Sequence, residues 1–316
     1  MLLTVLLAAC ATRAGTSGSG GASVASPEVP PAPETTGRVV FSSDSRTNLD
    51  LYVLDLTSGN ITALTRNPSQ DLSPAPSPDG TKIAFASSSL EGHLQIALIN
   101  ADGSGMKALT RCSLPNCTSD GSPAWSPDGT RIAFGRLTPS SRFQVFVMGA
   151  DGSGQQAIFE DRFTGGASTD VVASPTWSPD GKRIAFEKDH KVFVMGSDGT
   201  GVRNLTGSGP GSDFAPSWSP DGRHIAFMSN RDGHFKIYEI NPDGSGLVKL
   251  TADEAGAPVA DDANPSWSPR GTKILFSRDQ GHDRNVWVMS ADGTSLQQLT
   301  LSRSTEDEPA WLRTPG

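Results

Sequence analysis

The chain has 316 residues, a formal net charge of −8 and a sequence pI near 5.1, which argues against a nucleic-acid-binding surface. The hydrophobic fraction of 35% is computed without glycine, so with 34 glycines the chain still has enough apolar material for a core. Those glycines and 23 prolines imply many turns and disfavour a helix-rich fold.

The N-terminal run Leu2–Ala9 is apolar, ends in small residues and is too short to span a bilayer. With the cysteine that follows, Leu7-Ala8-Ala9-Cys10 resembles a bacterial lipoprotein signal. The resemblance implies a signal peptide over 1–9, lipidation of Cys10 and an exported domain anchored to the cell membrane or outer membrane. Residues 10–37 are mostly Gly, Ser, Ala, Thr and Pro, which predicts a flexible tether. No later run is long and apolar enough for a membrane-spanning helix.

One phrase then recurs: SPAPSPDGTKIAF from Ser73, SPAWSPDGTRIAF from Ser122, SPTWSPDGKRIAF from Ser174, APSWSPDGRHIAF from Ala215 and NPSWSPRGTKILF from Asn264. A sixth, shortened copy begins at Glu308. The motif prolines fall about 47 residues apart, the length of a four-stranded propeller blade. Pro-x-Trp-Ser reads as strand A. Ser-Pro-Asp-Gly has the residue preferences of a type I turn, and Ile-Ala-Phe reads as strand B. The β-branched and aromatic runs Phe143–Met148, Val192–Met195 and Val286–Met289 read as strand C, and the Leu-Thr pairs as strand D. Between C and D, Asp102, Asp151, Asp198, Asp243 and Asp292 open Asp-Gly hairpins rather than calcium loops, which need ligands spread over about twelve residues.

Strand B is apolar at successive positions, so both of its faces require cover, as when sheets stack around a ring. At the chain ends, Val39–Ser42, Leu51–Leu56 and Ile61–Thr65 match strands B, C and D with no preceding A, while Pro309–Leu312 matches strand A with nothing after it. The expected fold is therefore an all-β, six-bladed β-propeller with four antiparallel strands per blade. Its last blade joins three N-terminal strands to one C-terminal strand, which removes open edges.

PSWSPDGxxIAF followed by an aliphatic strand and DGSGxxxLT resembles the TolB-type β-propeller repeat, over about residues 38–316. Propellers of this type occur in envelope proteins and beside peptidase domains. No G-x-S-x-G elbow occurs here, and residues 38–316 leave no room for a hydrolase domain.

Up-and-down strands put all the repeated turns on one face, so function is expected on the other, where the B–C and D–A loops vary. Near the start of strand A stand Asp71, Asp120, Asp213, Asp262 and Glu306, with Asp170 further upstream in the remaining copy. Two readings stay open for them. They ring the channel mouth and take Ca2+, another cation or a basic peptide, or they bond local backbone and basic neighbours such as Arg46, Arg142, Lys188, Arg231 and Arg278. His93, His234 and His282 occupy similar loops of different blades, too far apart around a ring to share a metal. Trp125, Trp177, Trp218, Trp267 and Trp311 recur at one structural place and are expected to pack between blades, an aromatic sugar platform being the alternative. Cys112 and Cys117 in CSLPNC are expected to form a disulfide, since two thiols alone make half a zinc shell.

The leading functional expectation is a noncatalytic, monomeric, membrane-anchored scaffold that binds an envelope or cell-surface protein and needs no cofactor beyond a cation. The alternatives are a propeller enzyme (polysaccharide lyase, cyclase or peptidase-related) and a cation-binding ectodomain.

Overall fold

The computed structural model describes residues 37–44, 48–88, 93–111, 117–139, 143–160, 174–253, 259–281 and 283–313. The predicted signal peptide, Cys10 and the tether lie outside these residues, as do Arg46, Cys112, Arg142, Asp170 and His282.

Twenty-four strands form six four-stranded antiparallel sheets among the described residues. Blade 1 holds β4 (Asp71–Pro76), β5 (Lys82–Ser88), β6 (Leu94–Asn100) and β7 (Lys107–Ala108). Blade 2 holds β8 (Ser119–Trp125), β9 (Arg131–Leu137), β10 (Phe143–Gly149) and β11 (Gln156–Glu160). Blade 3 holds β12 (Thr176–Trp177), β13 (Arg183–Lys188), β14 (Lys191–Gly196) and β15 (Arg203–Asn204). Blade 4 holds β16 (Asp213–Trp218), β17 (Ile225–Ser229), β18 (Lys236–Ile240) and β19 (Val248–Lys249). Blade 5 holds β20 (Asp261–Trp267), β21 (Lys273–Asp279), β22 (Arg284–Ser290) and β23 (Gln297–Gln298). Blade 6 is composite: the C-terminal β24 (Glu306–Leu312) pairs antiparallel with β1 (Arg38–Ser43), followed by β2 (Asp50–Asp55) and β3 (Ile61–Ala63). The closure expected from the chain ends is the one observed.

The A strands of successive blades touch around the whole ring, from β4 through β24 and back to β4, so they line the centre. Six apolar clusters, one per seam, hold the blades together. Within β5, Ile83 and Phe85 pack toward blade 6 while Ala84 between them packs toward blade 2. Within β13, Ile184 and Phe186 face blade 2 and Ala185 faces blade 4. Every Ile-Ala-Phe is thus buried on both faces, with a small residue where the next blade approaches. Six fully buried phenylalanines, Phe41, Phe85, Phe134, Phe186, Phe227 and Phe276, anchor one blade each.

The repeated turns are packing devices as well. In Ser-Pro-Asp-Gly, the Gly80 N–H donates to the Ser77 carbonyl at 2.9 Å. The Ser77 hydroxyl donates to Asp79 at 2.5 Å and accepts the Lys82 N–H at 3.0 Å. The turn glycine then faces the turn proline of the preceding blade: Gly129 on Pro78, Gly181 on Pro127, Gly222 on Pro179 and Gly271 on Pro220. At Gly80 of blade 1 the Arg313 carbonyl of blade 6 takes the proline's place. The Asp-Gly hairpins do likewise, with Gly152, Gly199 and Gly293 against the carbonyls of Leu109, Ile158 and Leu250 in the D segment of the blade before. The Leu-Thr threonine caps strand C: the hydroxyls of Thr65, Thr110, Thr206, Thr251 and Thr300 accept the N–H groups of Leu51, Ile96, Val192, Ile237 and Val286.

A Cβ on Gly80 would sit 2.2 Å from the Arg313 carbonyl oxygen at φ +71°, whereas Gly207, also at φ +71°, has open space around it. Gly207→Ala should therefore cost only the left-handed backbone term, about 1 kcal/mol, and Gly80→Ala should cost more than about 2 kcal/mol. Urea unfolding of both variants checks this, and equal losses would remove the closure contact from the account.

Candidate functional site

Strand A is longer than the Pro-x-Trp core read from the sequence and begins at or near its carboxylate. A bulge explains the extension. The register against strand B slips across the residue before the motif proline and the proline itself, between Leu72 and Ala75, Gly121 and Ala124, Phe214 and Ser217, and Ala263 and Ser266. The residue before proline is left-handed in all six blades: Ser73 (53°), Ser122 (50°), Ser174 (52°), Ala215 (49°), Asn264 (52°) and Glu308 (54°). Proline suits the bulge because it has no N–H to leave without a ladder partner.

The five described carboxylates of the expected acidic ring are not open to the channel mouth. Asp71, Asp120, Asp213 and Asp262 are 0% exposed and Glu306 is 2% exposed. Four of them accept hydrogen bonds from strand B of their own blade, the local pairing that is one of the two readings of these positions. Ser87 donates to Asp71 at 2.6 Å and Ser229 to Asp213 at 2.5 Å. Arg136 forks onto Asp120 at 2.6 and 2.8 Å, and Arg278 onto Asp262 at 2.6 and 3.0 Å. Arg231 and Lys191 add cations to Asp213 at 2.8 and 3.3 Å. Bidentate pairs of this kind are the strong form of the interaction. The arginines also lie over aromatic rings of strands B and C: Arg136 over Phe134 and Phe146, Arg231 over Phe227 and Tyr238, Arg278 over Phe276 and Trp287. Of the basic neighbours named from sequence, Arg231 and Arg278 fill this role, and in blade 2 the cation is Arg136. Asp71 has no cation among its bonds to described residues. Burial pushes its carboxyl up, against the Ser87 hydroxyl and an Asn67 amide 2.8 Å away.

Two carboxyls outside the repeated motif bridge neighbouring blades. Glu308, at the bulge of β24, accepts from the Ser73 N–H at 2.6 Å and the Ser73 hydroxyl at 2.8 Å, across the seam to blade 1. Glu187 accepts from the Ala215 N–H, across the seam from blade 3 to blade 4. Burial raises both carboxyls to about 7, with Asp307 adding to the rise at Glu308. Asp307 is held low by Arg284, whose Nη1 lies 2.5 Å away, against the effect of its burial. A signal was present in the sequence: the pre-proline position is Ser, Ser, Ser, Ala and Asn until it becomes Glu308.

The D–A loops are pinned by cations at the start of strand C. Lys191 donates to the Gly209 and Gly211 carbonyls at 2.8 Å, and Lys236, 2% exposed, is bonded to Asp253 and the Ala260 carbonyl. His93 bonds the Thr118 carbonyl at 3.0 Å and His234 lies 3.4 Å from Asp261, so these two histidines are engaged separately. Among the described residues no three His, Cys, Asp or Glu side chains converge on a metal position. Cys117 is disulfide-bonded, with Sγ 3.3 Å from Asp120. The tryptophans sit in the seams. Trp125 donates to the Ala75 carbonyl at 2.9 Å and Trp311 to Ser266 at 3.1 Å, while Arg131 and Arg183 lie over Trp177 and Trp218.

Removing Arg278 would leave Asp262 buried without a counter-ion. Arg278→Met should cost about 3–5 kcal/mol, and Asp262→Leu combined with Arg278→Met should recover much of it. Chemical denaturation of the two variants measures this, and a single variant as stable as the wild type would refute a structural pair.

The fold has solved counterparts. TolB from Acinetobacter baumannii matches with a TM-score of 0.72 at 22% identity, over 88% of this chain and 67% of that one. A protein assigned as TolB from Agrobacterium tumefaciens matches with a TM-score of 0.63 at 18% identity, over 89% of this chain and 100% of that one. Oligogalacturonate lyase from Vibrio parahaemolyticus matches with a TM-score of 0.56 at 15% identity, over 82% of this chain and 73% of that one. At these identities the matches show a common fold. The family model described as the TolB beta propeller domain matches residues 114–314, more than half of the chain, and the chain therefore belongs to the TolB β-propeller family.

Proposed function

We propose that the chain is a noncatalytic envelope scaffold that acts as a monomer, is exported, and is held at a membrane through a lipidated Cys10. It binds a protein partner with the loop-rich face of the propeller, on the periplasmic or extracellular side. The supporting observation is the division of labour between the two faces. The Ser-Pro-Asp-Gly and Asp-Gly turns are largely engaged in blade-to-blade contacts, while the opposite face carries loops that differ from blade to blade and are pinned individually. Val259 (52% exposed) and Leu301 (45%) stand on D–A loops of adjacent blades there, the apolar element that a partner could cover.

A propeller enzyme is the second reading. Glu187 and Glu308, with carboxyls raised to about 7, have the property of a general acid. Their oxygens accept hydrogen bonds from neighbouring blades, which favours a structural role. Incubation with oligogalacturonate and manganese should give no unsaturated product, and turnover lost in Glu187→Gln would favour this second reading.

The full-length chain bearing Val259→Asp and Leu301→Asp should lose crosslinked partner from native envelopes by about tenfold or more. Val202→Asp with Leu247→Asp, on the turn face, should retain it. Loss confined to the turn-face variant, or no discrete partner in any sample, would sink the scaffold reading. Cys10→Ser should move the protein from the membrane to the soluble fraction, and unchanged fractionation would exclude the lipid anchor.

A further inference from the structure

The chain enters the propeller through the turn face. The Gly37 carbonyl accepts the Leu56 N–H at 2.9 Å beside the C–D turn of blade 6. Arg38 pairs in register with Asp55 and Leu312, at the end of β1 opposite Ser43 and Glu306. The Gly-, Ser-, Ala-, Thr- and Pro-rich segment 10–36 is therefore joined to the face that carries the Ser-Pro-Asp-Gly turns, not to the loop face. A coil of that length and composition spans about 30 Å end to end, which keeps Cys10 within reach of the turn face.

The same face carries most of the exposed apolar side chains. Of the six large ones exposed among the described residues, Met106, Val202, Leu247 and Val248 are 41–47% exposed and stand where strand D leaves the C–D turn. Among the described residues none of the four belongs to an apolar cluster of the seams, so blade packing does not account for them. Met106 is in blade 1, beside the blade through which the chain enters, while Val202, Leu247 and Val248 are in blades 3 and 4 across the ring. Arg203 ties those two blades together at this level, donating to the Asp243 and Pro242 carbonyls at 2.8 and 2.5 Å. The apolar points are thus spread across the face instead of gathered in one groove, the layout of a contact with a flat surface.

Charge favours the same orientation. Lys82, Lys107, Lys182, Arg223, Arg270 and Arg313 are exposed on the turn face. Aspartates of this face are folded onto their own turns, with Asp102 accepting the Ser104 N–H at 2.9 Å and Asp198 the Thr200 N–H at 3.0 Å, while lysine and arginine stems are long enough to extend past them. On the loop face, Asp189, Asp232, Asp253, Asp261 and Asp279 keep side chains 37–55% exposed, in a chain of net charge −8. An anionic bilayer repels that face and accepts the other.

We propose that the turn face is a membrane-docking surface, which lies on the anionic bilayer holding the lipidated Cys10 and turns the loop face away from lipid, toward the protein partner; this rests on the lipid anchor of the proposed function. Four apolar side chains and a few cations bind a bilayer weakly on their own. The tether makes that sufficient, because it holds the face near the bilayer at an effective concentration on the order of millimolar.

The test supplies the anchor chemically. The full chain is coupled through the Cys10 thiol to a maleimide lipid in vesicles of phosphatidylglycerol and phosphatidylethanolamine, so that a failure of docking is read separately from a failure of natural lipidation, which fractionation of Cys10→Ser reports. Lysines are then acylated with a membrane-impermeant reagent and located by mass spectrometry. Lys82, Lys107 and Lys182 should react about fivefold or more slowly than in the uncoupled chain, with Lys188 and Lys191 on the loop face unchanged. Val202→Asp with Leu247→Asp and Val248→Asp should return the turn-face lysines to their rates in solution. Equal slowing on both faces, slowing on neither, or slowing of Lys188 and Lys191 alone would overturn the docking, as would protection that persists in the triple variant. Slowing of the turn-face lysines in concentrated protein without vesicles would assign the face to a second copy of the chain and also overturn it. The wild-type comparison requires no variant to fold.

Discussion

Each sheet of this molecule is apolar on both faces, and no blade can bury itself. Ile83 and Phe85 need blade 6 while Ala84 needs blade 2, and the same alternation runs around the circle. A linear array of such blades would leave two apolar faces exposed at its ends. Closing the ring removes both, and the chain achieves this by dividing blade 6 between its N- and C-terminal segments. Local devices follow from that requirement: glycine where one turn rests on the preceding blade's backbone, alanine where strand B is approached closely, and threonine where strand D must cap strand C.

The centre of the ring imposes a second demand. Strand A carries a bulge in at least five blades, and a left-handed residue before its proline in all six. Bulges break ladder pairing and re-aim side chains. Here proline covers part of the loss by lacking an N–H, and carboxyls of the preceding blade take up the exposed N–H groups of Ser73 and Ala215. Buried aspartates with arginine partners stiffen the beginning of the same strand in blades 2, 4 and 5. Such pairs are costly to break and contribute modestly when intact, so their value is geometric: they hold strand A in one register.

Function is a matter of what these demands leave over. The turn face is largely engaged in packing, and the proposed recognition surface is the loop face opposite it; a propeller fold hosts many unrelated functions. Solved propellers with the same architecture include TolB and an oligogalacturonate lyase. The scaffold reading rests on the D–A loops, which differ from blade to blade and are pinned one by one.

The repeats, the four strands of each blade, the composite last blade and the seam role of the tryptophans were legible in the sequence, because a residue pattern repeated at fixed spacing reports a repeated local environment. The acidic positions were legible too, at Asp71, Asp120, Asp213, Asp262 and Glu306, but not their setting. Whether a carboxylate at the start of a strand faces solvent or an arginine depends on the strand B residue brought opposite it sixteen positions later, and on the bulge that shifts the register between them. Glu187 and Glu308 gave no repeated signal, since each acts across a seam on a residue distant in the chain. Sequence determined the period and the closure of this propeller; tertiary structure decided which charges are neutralised, because neutralisation depends on distance between strands rather than distance along the chain.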